Sequence, residues 1–125
     1  MAELEAGLNG ARRNGAGAVL IFSSPIVFAE RARLAALARE KQLPSVSLFT
    51  EFAEAGGLLT YGPSIREASR RCGVFVAKIL SGAKAADLPI ERPETFELVI
   101  NLKTARALGL TIPQSLLLRA DQVIE

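Results

Sequence analysis

Three short segments carry the side chains best suited to meet a small molecule: Phe22-Ser23-Ser24-Pro25, Phe49-Thr50-Glu51-Phe52 and Thr60-Tyr61-Gly62-Pro63. In the first, two hydroxyls and free backbone N–H groups meet at a helix start, a seat for a carboxylate. An ordinary Ser-Pro cap explains the same residues without a ligand. Tyr61, the single tyrosine, either stacks on or hydrogen-bonds a small molecule, or packs as a hinge residue. Glu51 and Glu54 lack the companion pattern of a catalytic carboxylate pair. Gly56-Gly57 serves a tight turn into a strand, and neither the Gly-rich helix opening nor a Gly-Lys-Ser/Thr ending of a phosphate loop is present.

Several chemistries drop out on residue type. The chain has no histidine, which removes His-dependent triads, His general bases and His-containing metal sites. One cysteine, Cys72, makes neither an internal disulfide nor a Cys-rich zinc site. It falls on the apolar stripe of a helix and reads as a buried, inert thiol. No catalytic residue, metal site or cofactor is expected, so the chain reads as a non-enzyme. Fifteen Lys and Arg against thirteen Asp and Glu leave a charge of +2. The pI near 9.0 therefore reflects a small excess of bases. With no Trp, one Tyr and six Phe, a base-stacking platform is not built either, and no nucleic-acid partner is expected. Arg66, Arg70, Arg71, Lys78 and Lys84 read as a solvated face.

The elements that position these segments alternate along the chain. At 125 residues, half of them apolar, with mean hydropathy +0.28, one domain with its own core is expected. Leu4, Leu8 and Ala11 give a helix over 2–14 that ends at Asn14-Gly15. The continuous apolar run 18–22 suggests a strand covered on both faces. A helix follows over 26–41, with Phe28, Ala32, Ala35 and Leu37 inward and Glu30, Arg31, Arg33, Arg39 and Glu40 outward. Strands over 45–49 and 58–61 flank a helical turn or loop at 50–55. Ser64, with Glu67 as capping-box partner, starts a second long helix with an apolar stripe from Ile65 to Ile79, stopped by Gly82. Residues 83–94 read as an extended linker, 95–101 as a strand, and Asn101 as the cap of a short helix ended by Gly109. A last helical turn is expected over 115–120. The fold class is α/β, a mainly parallel sheet with flanking helices.

Residues 54–63 (EAGGLLTYGP), 77–89 (AKILSGAKAADLP) and 96–113 (FELVINLKTARALGLTIP), with the ending 116–125, resemble the carboxyl-terminal part of ABC-transporter substrate-binding proteins of the tryptophan/tyrosine type. The resemblance spans nearly the whole chain and is weakest over 1–14. It implies a periplasmic-binding-protein type I fold, two α/β lobes closing on a ligand without chemistry. By that pattern 1–60 is a second-lobe βαβ segment, 61–94 a hinge strand, long helix and linker returning into the first lobe, and 95–125 the carboxyl-terminal strand and helices. The strand-end rule, with the implied fold, makes Ser23, Ser24, Pro25, Phe49, Glu51, Phe52 and Tyr61 ligand-facing. The resemblance implies as partners a small molecule, such as an aromatic or other apolar amino acid, and an ABC permease.

Met1 to Glu5 is acidic and helix-like, unlike an export signal. The expected location is periplasmic by the resemblance, and cytoplasmic if the chain is complete. The stripe on the Ser64 helix would be exposed apolar surface, so a homo-oligomer is expected, exchange of that helix between protomers being one route. The rival reading is a cytosolic sensory or regulatory ligand-binding module acting through dimerisation.

Overall fold

The computed structural model describes residues 2–125; Met1, which opens the acidic stretch, lies outside the described residues. The elements run α1 (Ala2–Arg13), β1 (Val19–Ile21), α2 (Pro25–Ala29), α3 (Arg31–Glu40), β2 (Ser45–Ser47), α4 (Thr50–Glu54), β3 (Leu59–Pro63), α5 (Ile65–Leu80), β4 (Phe96–Asn101), α6 (Leu102–Ala107), α7 (Gln114–Leu117) and β5 (Gln122–Ile124). A single 3-10 turn, Ala85–Asp87, interrupts the otherwise irregular stretch after α5. No helix among the described residues is long and apolar enough to cross a membrane.

The five strands lie in chain order, β1-β2-β3-β4-β5. Pairings are parallel except between β3 and β4, which run antiparallel from Leu59↔Ile100 to Pro63↔Phe96. That one reversal sets the site's geography. The carboxyl ends of β1, β2 and β3 meet the amino ends of β4 and β5 at a single edge of the sheet.

One core anchors that edge. Leu8 from α1, Leu34 and Ala35 from α3, Leu43 and Phe52 cluster under β1, whose Val19 and Ile21 pack against them. The α1 helix delivers Leu4, Leu8 and Ala11 to this cluster by helical spacing. Its acids Glu3 and Glu5 and bases Arg12 and Arg13 sit at the ends that favour them.

The α4 helix is fixed by Asn101, which is buried. Its Nδ2 donates to the Ala53 carbonyl at 2.9 Å, and its Oδ1 accepts from the Thr104 N–H at 3.0 Å, capping α6. Thr104 adds a hydroxyl bond to the Gly56 carbonyl at 2.8 Å. Three hydrogen bonds thereby satisfy six polar groups that would otherwise go unpaired.

The structure corrects several expectations. The helix over 26–41 is two helices broken at Glu30, whose φ of −96° and ψ of 13° are not helical. Ile26, Val27 and Phe28 hold a helix weakly compared with the Ala-rich stretch beyond. β1 is covered on one face only: α1 and α3 pack on the same side, and Leu20 on the other is 60% exposed. Cys72 is exposed and not buried, because no residue of α5 is buried. Only half of the capping box forms. Ser64 Oγ accepts from the Glu67 N–H at 3.4 Å, but the Glu67 carboxylate pairs with Arg70. β5 was not expected at all; three residues carry too little pattern to announce a strand.

Gly62 of β3 is buried, and a methyl group there would collide with the Leu48 carbonyl oxygen. Backbone, not a movable side chain, is the obstacle. Gly62→Ala is therefore expected to cost about 1–3 kcal/mol in urea unfolding. Gly73→Ala, in the interior of α5 with open space around it, is expected to gain about 0.4–1 kcal/mol. Equal behaviour of the two variants would contradict this packing.

Candidate functional site

The edge divides into two recesses on either side of the start of α4. The first is a notch of about 10 Å3 lined by Ser23, Val27, Phe28, Arg31, Ser47, Phe49 and Phe52. That is room for roughly one water-sized group. Ser24 caps α2, its Oγ accepting from the Val27 N–H at 3.2 Å, with Pro25 as the first helical residue. The Ser-Pro pair thus has the structural role that an ordinary helix start gives it. Ser47 spends its hydroxyl on the Ile21 carbonyl at 2.9 Å. Ser23 makes no side-chain hydrogen bond among the described residues.

The second recess is a cleft of about 440 Å3 formed by α4, the start of α5, β4 and the residues leading into β5. Glu51, Glu54, Glu97 and Asp121 line it, with Arg66 as the facing base. Two of the carboxylates are held. Glu97 accepts from the Thr50 hydroxyl at 3.1 Å, and Asp121 accepts from the Leu98 N–H at 2.7 Å. Glu51 and Glu54 have no partner among the described residues. The edge is therefore polar in the electrical sense: a guanidinium, Arg31, on the β1 side and a carboxylate excess on the β4 side. Among the described residues no group of three or more acidic or cysteine side chains is placed to hold a metal ion.

The expected ligand-facing residues are not all brought together. Ser23, Phe49 and Phe52 share the notch, Ser24 and Pro25 lie beside it, and Glu51 faces the neighbouring cleft. Phe52 is only 3% exposed and belongs to the core cluster, so its ring is largely spent on packing. Tyr61 stands apart. Thr60 pairs with Ser47 on the core side, so by strand alternation Tyr61 points to the opposite face. There it is 57% exposed and packs at 5.7 Å on Phe96. Sequence reasoning missed Arg31, Arg66, Glu97 and Asp121. Arg31 was counted among the outward residues of one long helix; the break at Glu30 leaves it half-buried. Glu97 and Asp121 become neighbours of Glu51 only through the β3–β4 reversal, which no local signal marks.

Farther from the edge, Arg71 on α5 pairs with Glu91 on the returning segment. The hydrogen bond from Arg71 holds the Glu91 carboxyl below its ordinary value, and the same bond raises the guanidinium. Its contribution is present above the ordinary carboxylate range and is lost as pH falls through the lowered value. Both groups are solvated, so it is small.

A protein-family model described as ABC transporter substrate binding protein matches residues 1–124. The chain belongs to this family. Solved structures share its fold. One is a conserved domain protein from Vibrio cholerae O1 biovar El Tor, 22% identical with a TM-score of 0.88. A second is an ABC domain in complex with L-Trp from Streptococcus pneumoniae, 27% identical with a TM-score of 0.88. A third is the ligand-free, open form of a substrate-binding protein with adhesive properties from Clostridium difficile, 19% identical with a TM-score of 0.65. Each alignment covers 98% of this chain, and the chain spans 41% of the length of each of these structures. No curated protein matched the chain. The mostly parallel α/β sheet read from the sequence is thus the sheet of a substrate-binding family.

The family's ligand role and the core's structural role predict opposite outcomes at two aromatic positions. Phe52→Ala should cost about 3–5 kcal/mol in chemical denaturation, because it empties the core. Tyr61→Ala should cost about 1 kcal/mol or less, because only its contact with Phe96 is lost. A small cost at Phe52 would show that its ring is free for a ligand.

Proposed function

We propose that this chain acts in the solute-binding component of an ABC importer, holding a small molecule without chemically changing it and presenting it to a permease in the periplasm. The observation that carries this reading is the family match across residues 1–124. The ligand class favoured is an amino acid with an aromatic or other apolar side chain, on the strength of the L-Trp in the streptococcal neighbour. The edge offers what such a ligand needs: apolar surface at Phe49, a hydroxyl at Ser23 and charges of both signs. On this reading 1–60 and 95–125 form the lobe that carries the site, and 61–94 is an excursion that leaves and returns at the Pro63↔Phe96 pair.

The excursion also supports self-association. Val76, Ile79 and Leu80 of α5 are exposed, in a helix that carries Arg66, Arg70, Arg71 and Lys78. Arg70 and Arg71 are already paired with Glu67 and Glu91, so the apolar residues and not charge carry the association. Reciprocal exchange would close the pair with two-fold symmetry.

Binding is readily observed because the chain has no tryptophan. Titration of the full chain into L-Trp should raise the anisotropy of the ligand's own emission saturably, and L-Phe or L-Leu should reverse the rise. Light scattering on the same samples should give a mass above one chain. No response from any amino acid at millimolar concentration would overturn the binding reading; a single-chain mass would overturn the association.

A further inference from the structure

Arg31 combines features that surface arginines seldom share. It is half-buried, and it forms no ion pair among the described residues. Its Nη1 donates to the Phe28 carbonyl at 2.8 Å, and its guanidinium carbon lies 4.8 Å from the centre of the Phe28 ring. One bond and one aromatic face hold the head in place, so little rotamer freedom is left to lose on binding. The remaining N–H donors have no protein acceptor among the described residues. Arg31 lines the notch together with Ser23 and Phe49. Ser47 and Phe52 in the same notch are already committed, to a strand carbonyl and to the core. Two residues with uncommitted polar groups, Arg31 and Ser23, therefore line one notch with an aromatic ring, at the edge where open α/β sheets take ligands.

We infer that Arg31 is the anion anchor of this edge and that the ligand it selects carries a carboxylate. This rests on the ligand-binding reading above and adds the ligand's charged group to it. The notch, about 10 Å3, admits roughly one oxygen-sized atom. One carboxylate oxygen fills it, with the guanidinium and the Ser23 hydroxyl donating, and Phe49 flanks the apolar body. A phosphate fits less well, because its further charge would face the carboxylates of the adjoining cleft.

Three indole probes separate these demands on the full chain, each read by the anisotropy of its own emission. L-Trp has both charged groups, indolepropionate only the carboxylate, and tryptamine only the ammonium. Wild type should bind L-Trp and indolepropionate, and tryptamine roughly tenfold to a hundredfold more weakly, as expected for loss of a charged hydrogen-bonded pair. Arg31→Met, which keeps most of the aliphatic stem, should abolish the preference for indolepropionate over tryptamine. Arg31→Gln should do the same, and the ratio of the two affinities is a readout that general loosening of the fold does not move. Tryptamine binding wild type as well as indolepropionate does, or either variant keeping the preference, overturns the role of Arg31 and leaves ligand binding intact. Displacement of L-Trp by inorganic phosphate at comparable concentration overturns the carboxylate assignment. Failure of all three probes to bind wild type overturns the ligand-binding reading itself, and this inference with it.

Discussion

The architecture depends on the antiparallel joint between β3 and β4 and on Asn101, the residue that clamps it. Asn101 makes three hydrogen bonds near that joint. Its backbone N–H donates to the Leu58 carbonyl at 2.9 Å, and its side chain reaches Ala53 on one side and caps α6 on the other. In a buried position each of these bonds costs far more to lose than it contributes net, so the three segments it bonds are held in one arrangement. The start of α4 follows from that arrangement, and with it the placement of Phe49, Thr50 and Glu51 at the edge. Aspartate would be nearly isosteric at 101 but would turn a donor toward Ala53 into an acceptor.

Because β4 and β5 run against β1–β3, the edge is built from both strand ends. Carboxyl ends bring Ser23, Phe49 and Arg31's neighbour Phe28; amino ends bring Glu97 and Asp121. The electrical asymmetry of the edge is a consequence of this mixed origin. The same joint makes the α5 excursion possible, since an antiparallel pair returns the chain to where it left. α5 itself owes little to the body: its caps and its Glu67–Arg70 pair are local, and its apolar stripe meets solvent.

Much of this was legible in the residues, and the failures are instructive. Leu4, Leu8 and Ala11 reported their helix because spacing alone decides which side of a helix faces in. Ser24, Ser64 and Asn101 reported their caps because a cap is a bond across three residues. The mainly parallel sheet followed from strand–helix alternation. Burial was less legible. The run 18–22 looked covered on both faces, yet coverage of Leu20 depends on what lies over the far side of the sheet. Cys72 looked buried for the same reason. The site was half legible: Ser23, Phe49 and Glu51 sit at strand ends that local pattern marks, whereas Arg31, Glu97 and Asp121 join them through a helix break and a strand reversal.

The proposed ligand seat is the mixed edge and not the apolar face of α5. Backbone amide NMR of the full chain titrated with L-Trp tests it most directly. Shifts are expected to concentrate in residues 22–31 and 49–51, with α5 between 68 and 80 silent. Shifts confined to α5, or spread evenly along the chain, would contradict it.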